Sequence, residues 1–292
     1  MKIKPECVPC LLKRIIFEAE QSTTNKTLHT RVIQNACKRL AELYDPSTSS
    51  ASIATQVHKT VYETLGDTDP YNALKQQSNT IAQSLLPKVE ELLKHSKQPL
   101  KTSILCSIIG NIMDFGIDGS GKHPETLREN FEHLLSEGLG IDEYTIFESL
   151  LKKAHRVVLF TDNCGEIVFD KILCREIKKV IPLLRVTVVV KGEPIISDAT
   201  LEDATQFRFA DVVDQVLTTG GFSIGVDFVH LPDLLKKELD TADLIICKGM
   251  ANYEAFSETS YQPIAYLLRT KCGPIARSMG LPLGINVLKV YQ

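Results

Sequence analysis

Arg156-Val-Val-Leu-Phe-Thr161-Asp162-Asn163-Cys164-Gly165-Glu166 is the stretch that decides the fold. Val157 to Phe160 are apolar without alternation, so the strand they form needs cover on both faces, as in a parallel sheet under helices. An acid and an amide follow at its end. A run with helical periodicity, Glu166–Val180, then begins after Gly165. Strand, polar turn and helix in that order make half of a βαβ unit.

The same grammar repeats downstream. Val186-Thr-Val-Val-Val190 reads as a second strand with a helix near Thr200–Arg208, and Val212–Leu217 as a third with a helix over Val229–Leu239. Asp243-Leu-Ile-Ile-Cys247 is a fourth, Ile264–Leu268 a fifth and Ile285–Val290 a sixth. Valine marks the shift, with five in residues 1–150 and fifteen in 151–292. Upstream, apolar residues recur at three- and four-residue steps around Pro5–Glu20, Leu28–Leu43, Ile53–Leu65, Tyr71–His95, Leu100–Phe115 and Pro124–Glu137. Pro87 is expected to kink or split the fourth of these. Only Gly66 of the 16 glycines lies in the first 109 residues, as helices prefer. The expectation is an α/β protein: a helical domain or cap over residues 1–150, and a three-layer α/β/α domain over 151–292 with a mostly parallel, Rossmann-like sheet.

Composition sets the outer limits. The 292 residues are 43% hydrophobic and 24% charged, with 33 basic against 36 acidic side chains, a formal charge of −3. Such a chain folds, and it carries no global field that would draw nucleic acid or anionic lipid. No apolar stretch approaches the ~20 residues of a spanning helix, and no apolar segment follows the N-terminal charge. Eight cysteines without a secretion signal read as thiols or ligands. The protein is expected in the cytoplasm, with neither nucleic acid nor membrane as a partner.

In open sheets ligands gather at the carboxyl ends of the strands, so the residues just past each strand carry the functional reading. Asp162 and Asn163 offer hard oxygen ligands suited to Mg²⁺ or Mn²⁺, although an Asx turn and helix cap satisfy the same pattern. Asp198 follows the second strand, again before a helix. It completes an Asp/Asn/Asp oxygen cluster or merely caps. Lys248 leaves the fourth strand into a glycine, with Asn252 close behind, a pattern suited to grasping a phosphate or to a snorkelling surface lysine. Thr219-Gly-Gly221 and Gly225 make a loop able to bring backbone N–H groups to an anion. Together these point to metal-assisted phosphoryl chemistry, with either Asp162 or a metal-activated water attacking phosphorus.

Cys7-x-x-Cys10, Gly110-Asn111-x-x-Asp114-Phe115-Gly116, Asp162-Asn163-x-Gly-Glu166, Ser197-Asp198, Lys248-Gly-x-Ala-Asn252-Tyr-Glu254 and Lys271-Cys272 occur in this order across nearly the whole chain. The set resembles the damage-control phosphatase family, also called acidic-residue-methyltransferase-like. Within it, the Cys-x-x-Cys and Lys-Cys pairs are similar to a smaller prokaryotic branch. The resemblance implies hydrolysis of small phosphometabolites, often sugar phosphates, with one divalent metal such as Mn²⁺, Co²⁺, Ni²⁺ or Mg²⁺. It also implies that Asp162, Asn163 and Asp198 hold the metal and that Lys248 and Asn252 meet the phosphate. Glu166 and Asp114 would lie near the reacting centre, with Asn111 reaching in from the helical half.

Cys7 and Cys10 are one helical turn apart and can give zinc two thiolates, with Cys37, Cys106 and His58 as possible completers; buried free thiols satisfy the pattern equally. None of the seven histidines is spaced as a metal pair. Two other functions remain expectations to test. One is an S-adenosylmethionine-dependent carboxyl methyltransferase, although Asp162-Asn163 stands where a glycine-rich loop would follow the first strand. The other is a non-enzymatic, zinc-stabilised binding module.

Overall fold

The computed structural model describes residues 1–112 and 123–292. Among these, six helices come first: α1 (Cys7–Ser22), α2 (Lys26–Leu43), α3 (Ser50–Leu65), α4 (Asn72–His95), α5 (Pro99–Gly110) and α6 (Glu125–Glu137). The expected helices appear within a few residues of their sequence bounds. Pro87 neither splits nor ends α4, which runs on through it as one element. The expected fifth helix stops at Gly110 and does not reach Phe115, which lies outside the described residues. A two-residue strand, β1 (Ile141–Asp142), and α7 (Tyr144–Lys153) follow, both missed by the sequence reading.

The remaining elements alternate: β2 (Arg156–Phe160), α8 (Glu166–Val180), β3 (Arg185–Val190), α9 (Leu201–Gln206), β4 (Gln215–Thr218), α10 (Asp233–Asp240), β5 (Leu244–Lys248), α11 (Gly249–Phe256), β6 (Ile264–Arg269), α12 (Gly273–Met279) and β7 (Asn286–Tyr291). One seven-stranded sheet runs in the order β1-β7-β6-β5-β2-β3-β4. Every pairing is parallel except β6 with β7. The fold is therefore the expected mixed α/β architecture with a mostly parallel sheet.

Two features of this topology place the site. β2 is central, flanked by β3 in the register Val157↔Val186 and by β5 in the register Val157↔Leu244. The chain runs outward from β2 through β3 to β4 and then returns to β5 on the other side, so β2 marks the topological switch point. The hydrophobic core is also continuous between the helical half and the sheet. One cluster joins Ile81, Leu85, Val89, Ile104 and Ile108 of α4 and α5 to Ile167, Phe169 and Leu173 of α8. Gly110 makes the closest approach possible, since a Cβ there would stand 3.0 Å from the Glu166 Cα and from the Phe169 ring.

A candidate acidic active site at the switch point

The caps that offered the simpler reading do not form. α8 begins at a Gly165 N-cap with no side-chain bond, and φ of +78° puts that position in the region glycine tolerates. α9 is capped by Thr200 in a capping box with Asp203, not by Asp198. Asp162, Asn163 and Asp198 are instead gathered. Asn163 and Asp198 form an isolated antiparallel bridge between the loops after β2 and β3. The Cys164 N–H donates to the Ser197 carbonyl (2.8 Å), and the Ala199 N–H to the Asp162 carbonyl (2.8 Å). These backbone bonds hold the three side chains together. They are 5%, 1% and 1% exposed, and all three line one cavity of about 380 Å³.

Polar side chains fix the carboxylates in turn. Asn111, the C-cap of α5, donates its amide to Asp162 Oδ2 (2.7 Å) and Glu166 Oε2 (2.9 Å). The Asn163 amide repeats the pattern at 2.7 and 3.2 Å, while its Oδ1 accepts from the Ser197 hydroxyl at 2.6 Å. Lys191 Nζ lies 3.3 Å from Asp198 Oδ2. Gly249 is required beside this group. Its φ is +72°, and a Cβ there would fall 1.8 Å from Asp162 Oδ2.

Lys248 and Asn252 are not brought to the cavity wall. Lys248 is fully buried beneath the acids, bonded to Glu166 Oε1 and 3.1 Å from Asp170 Oδ1, and it donates to the Ser107 carbonyl at 3.0 Å. Burial alone would lower its pKa, but Asp170 and Glu166 outweigh that and hold it above the usual lysine value. Burial pushes the Asp170 carboxyl up to about 6 despite Lys248. The Asn252 amide is spent on the Thr161 and Lys248 carbonyls (2.9 and 2.7 Å). Arg14, Lys271 and Arg277 are the cations that line the cavity, and Lys271 Nζ donates to the Asn111 carbonyl at 2.6 Å. Asp114 lies outside the described residues.

The glycine loop also differs from expectation. Its Ser223 and Gly225 carbonyls accept from Lys191 Nζ, and of this loop only Ile224 reaches the cavity. Cys7, Cys10 and Cys272 line the cavity mouth, with burial pushing the Cys272 thiol up to about 12. Among the described residues no three His, Cys, Asp or Glu side chains are grouped to hold a metal, so of the two readings of Cys7 and Cys10 the zinc site finds no completing set there. Cys37 is exposed on α2, Cys106 is buried in the core, and His58 bonds to Glu18.

Sequence reasoning missed the helical residues that shape this cavity. Asn79 of α4 accepts the Gly165 N–H at 2.6 Å and ties α8 to Asp203. Tyr62 of α3 takes the Ile196 N–H on its hydroxyl at 2.9 Å. That bond holds Ile196 at φ +43°, a strained position for a β-branched residue and two residues before Asp198. No local pattern marks such contacts, because each joins segments more than 80 residues apart.

Known proteins carry the same plan. The model of the damage-control phosphatase ARMT1-like domain matches residues 3–287. A damage-control phosphatase of Archaeoglobus fulgidus is 42% identical over 292 residues, covering all of both chains. A damage-control phosphatase of Pyrococcus horikoshii is 31% identical over 288 residues, 98% of this chain and 97% of its own. The crystal structure of a DUF89 family protein from Pyrococcus horikoshii superposes with a TM-score of 0.89 at 29% identity, covering all of both chains. This chain belongs to the damage-control phosphatase family with the ARMT1-like domain.

Proposed function

We infer that the protein hydrolyses small phosphorylated metabolites, sugar phosphates or related damaged esters, with one divalent metal at Asp162, Asn163 and Asp198. The observation that carries this reading is the convergence of two buried carboxylates from neighbouring strand ends on one cavity floor. The donor set fits a hard cation: one or two carboxylates and an amide oxygen, with remaining positions for water and phosphate, suit Mg²⁺, and the same oxygens accept Mn²⁺, Co²⁺ or Ni²⁺. When bound, such a cation supplies charge neutralisation at the phosphoryl group.

The chain's own residues do the rest. Asn111 and Asn163 orient the Asp162 carboxylate at the cavity floor, where an attacking oxygen must stand. Of the cations lining the cavity, Lys271 is bonded to Asn111 beside Asp162, and in this reading it faces the phosphate oxygens. Glu166 receives four donors, from Asn111, the Asn163 amide and N–H, and Lys248, and acts as a positioning residue. In this reading Lys248 and Asn252 hold the floor rather than touch the phosphate. Residues 1–150 and 151–292 then work as one unit, since Asn111 comes from the first and Asp162 from the second.

The test is phosphate release from p-nitrophenyl phosphate by the purified protein given Mn²⁺ or Co²⁺. Asp162→Asn and Asp198→Asn should each abolish release and, by isothermal titration, weaken metal uptake. Undiminished turnover in chelator, or in the double variant, refutes the proposal. Stoichiometric binding of S-adenosylmethionine would move the assignment to a methyltransferase.

A further inference from the structure

The cavity needs a proton donor that the acidic floor does not supply. Ionised carboxylates only accept hydrogen bonds, and Glu166 and Asp170 are occupied with Lys248. An alkoxide leaving group is a strong base, so cleavage of an alkyl phosphate gains from protonation of the bridging oxygen.

One imidazole meets the requirement. His58 of α3 lines the same cavity as Asp162, Asn163 and Asp198. Its Nδ1 lies 2.7 Å from Glu18 Oε1 and 2.9 Å from Glu18 Oε2, and both residues are essentially fully buried. A carboxylate accepts only, so Nδ1 carries the hydrogen and the ring is locked with Nε2 as its second, working nitrogen. Among the described residues Nε2 makes no hydrogen bond. Nδ1 faces Glu18, which does not line the cavity, so in this cavity-lining ring Nε2 is the nitrogen on the side away from Glu18. One turn further along α3, Tyr62 binds the Ile196 N–H and feels the charge of both Glu18 and Asp198, so the pair stands near the acidic floor. A base held by a carboxylate and turned toward a reacting centre is the arrangement of general acid–base catalysis.

We propose that His58, oriented by Glu18, is the general acid that protonates the leaving group. The inference rests on the hydrolase reading above. In the step, the bond from phosphorus to the attacking oxygen forms and the bond to the ester oxygen breaks. His58 enters the step as the imidazolium, its Nδ1–H held by Glu18, and the departing oxygen takes the proton from Nε2. The attacking water gives up a proton as phosphate is completed, and uptake of one proton returns the ring to the imidazolium. His58 is then a catalytic residue, and Glu18 a positioning residue acting through it.

The experiment compares esters of different leaving-group basicity under saturating Mn²⁺. His58→Gln should lower kcat for an alkyl phosphate such as glycerol 3-phosphate about 10²–10⁴-fold, the usual reach of a general acid. It should lower kcat for p-nitrophenyl phosphate, whose leaving group departs unprotonated, less than about tenfold. Glu18→Gln should show the same asymmetry more weakly, and imidazole should restore alkyl ester turnover to His58→Gly. Equal losses on both esters, or no loss on either, overturn the assignment.

Two wild-type measurements keep the question open to refutation if the variants do not fold. Across a series of aryl and alkyl phosphates, kcat should depend only weakly on leaving-group basicity; a steep dependence refutes protonation. In two-bond ¹H–¹⁵N spectra of the metal-free protein, the neutral form of His58, observed at high pH, should carry its proton on Nδ1, and its Nε2 should shift when inorganic phosphate is added. A proton on Nε2 in the neutral ring, or no shift, counts against the role. A wild-type protein that releases phosphate from neither ester fails the hydrolase reading itself, and the His58 role falls with it.

Discussion

Replacing Lys248 by methionine should destabilise the protein strongly and in a pH-dependent way. The lysine is 0% exposed and bonded to Glu166, with Asp170 at 3.1 Å; both carboxylates are also 0% exposed. Methionine fills most of the volume but removes the one cation facing two buried acids. Breaking a buried ion pair from one side costs about 3–5 kcal/mol, a large share of the roughly 5–15 kcal/mol that holds a domain folded. At about 2 °C per kcal/mol for a chain of this size, the melting temperature should fall on the order of 6–10 °C at pH 8. Without the cation the folded pKa of the Asp170 carboxyl rises further above its unfolded value. Such a group costs nothing below the unfolded pKa, and stability is lost as pH rises through the folded pKa. The defect should therefore be largest at pH 8 and shrink toward pH 5. Urea denaturation of both proteins at the two pH values measures this directly. A variant of wild-type stability that has lost only substrate affinity would refute the reasoning, since Lys248 would then be a phosphate contact.

Three further outcomes follow from the same geometry. Gly249→Ala should displace the Asp162 carboxylate, because its Cβ lies 1.8 Å from Oδ2 at a φ of +72°; titration should show weakened metal uptake, while a neutral result means Asp162 is not fixed there. Tyr62→Phe should cost about 1 kcal/mol by removing the acceptor of the Ile196 N–H, with a larger effect on phosphate release than on stability as Asp198 loosens. In the wild type, burial pushes the Asp170 carboxyl up to about 6 from 3.8, so stability is lost as pH rises from about 4 to about 6; Asp170→Asn should flatten that part of the urea-midpoint profile.

The strand–turn–helix rhythm after residue 155 was legible because a sheet covered on both faces demands uninterrupted apolar runs, and few other structures do. Thr161-Asp-Asn163 and Ser197-Asp198 stood out for the same reason, as polar residues abutting such runs. Lys248, read from the sequence as a phosphate contact, lies buried against Glu166 and Asp170. Its strand is buried at every position, and a lysine at the end of such a strand reaches whatever acids the neighbouring helix α8 supplies. That Glu166 and Asp170, four apart on α8, both face Lys248 depends on how α8 lies across β5. Short β1 escaped notice because two residues carry no period.

Local sequence thus determined the fold class, the boundaries of most elements and the identity of the acids at the strand ends. These follow from side-chain periodicity and from the turn chemistry of neighbours in the chain. Tertiary structure alone decided which groups share the cavity. His58 and Lys271 reach it from segments more than two hundred residues apart, Asn111 and Tyr62 bond to Asp162 and Ile196 on its wall, and only the packing of α3 and α5 against the switch point brings them together. Burial did the final sorting: it set Lys248 against two acids below the floor and turned Asp162 and Asp198 toward the cavity.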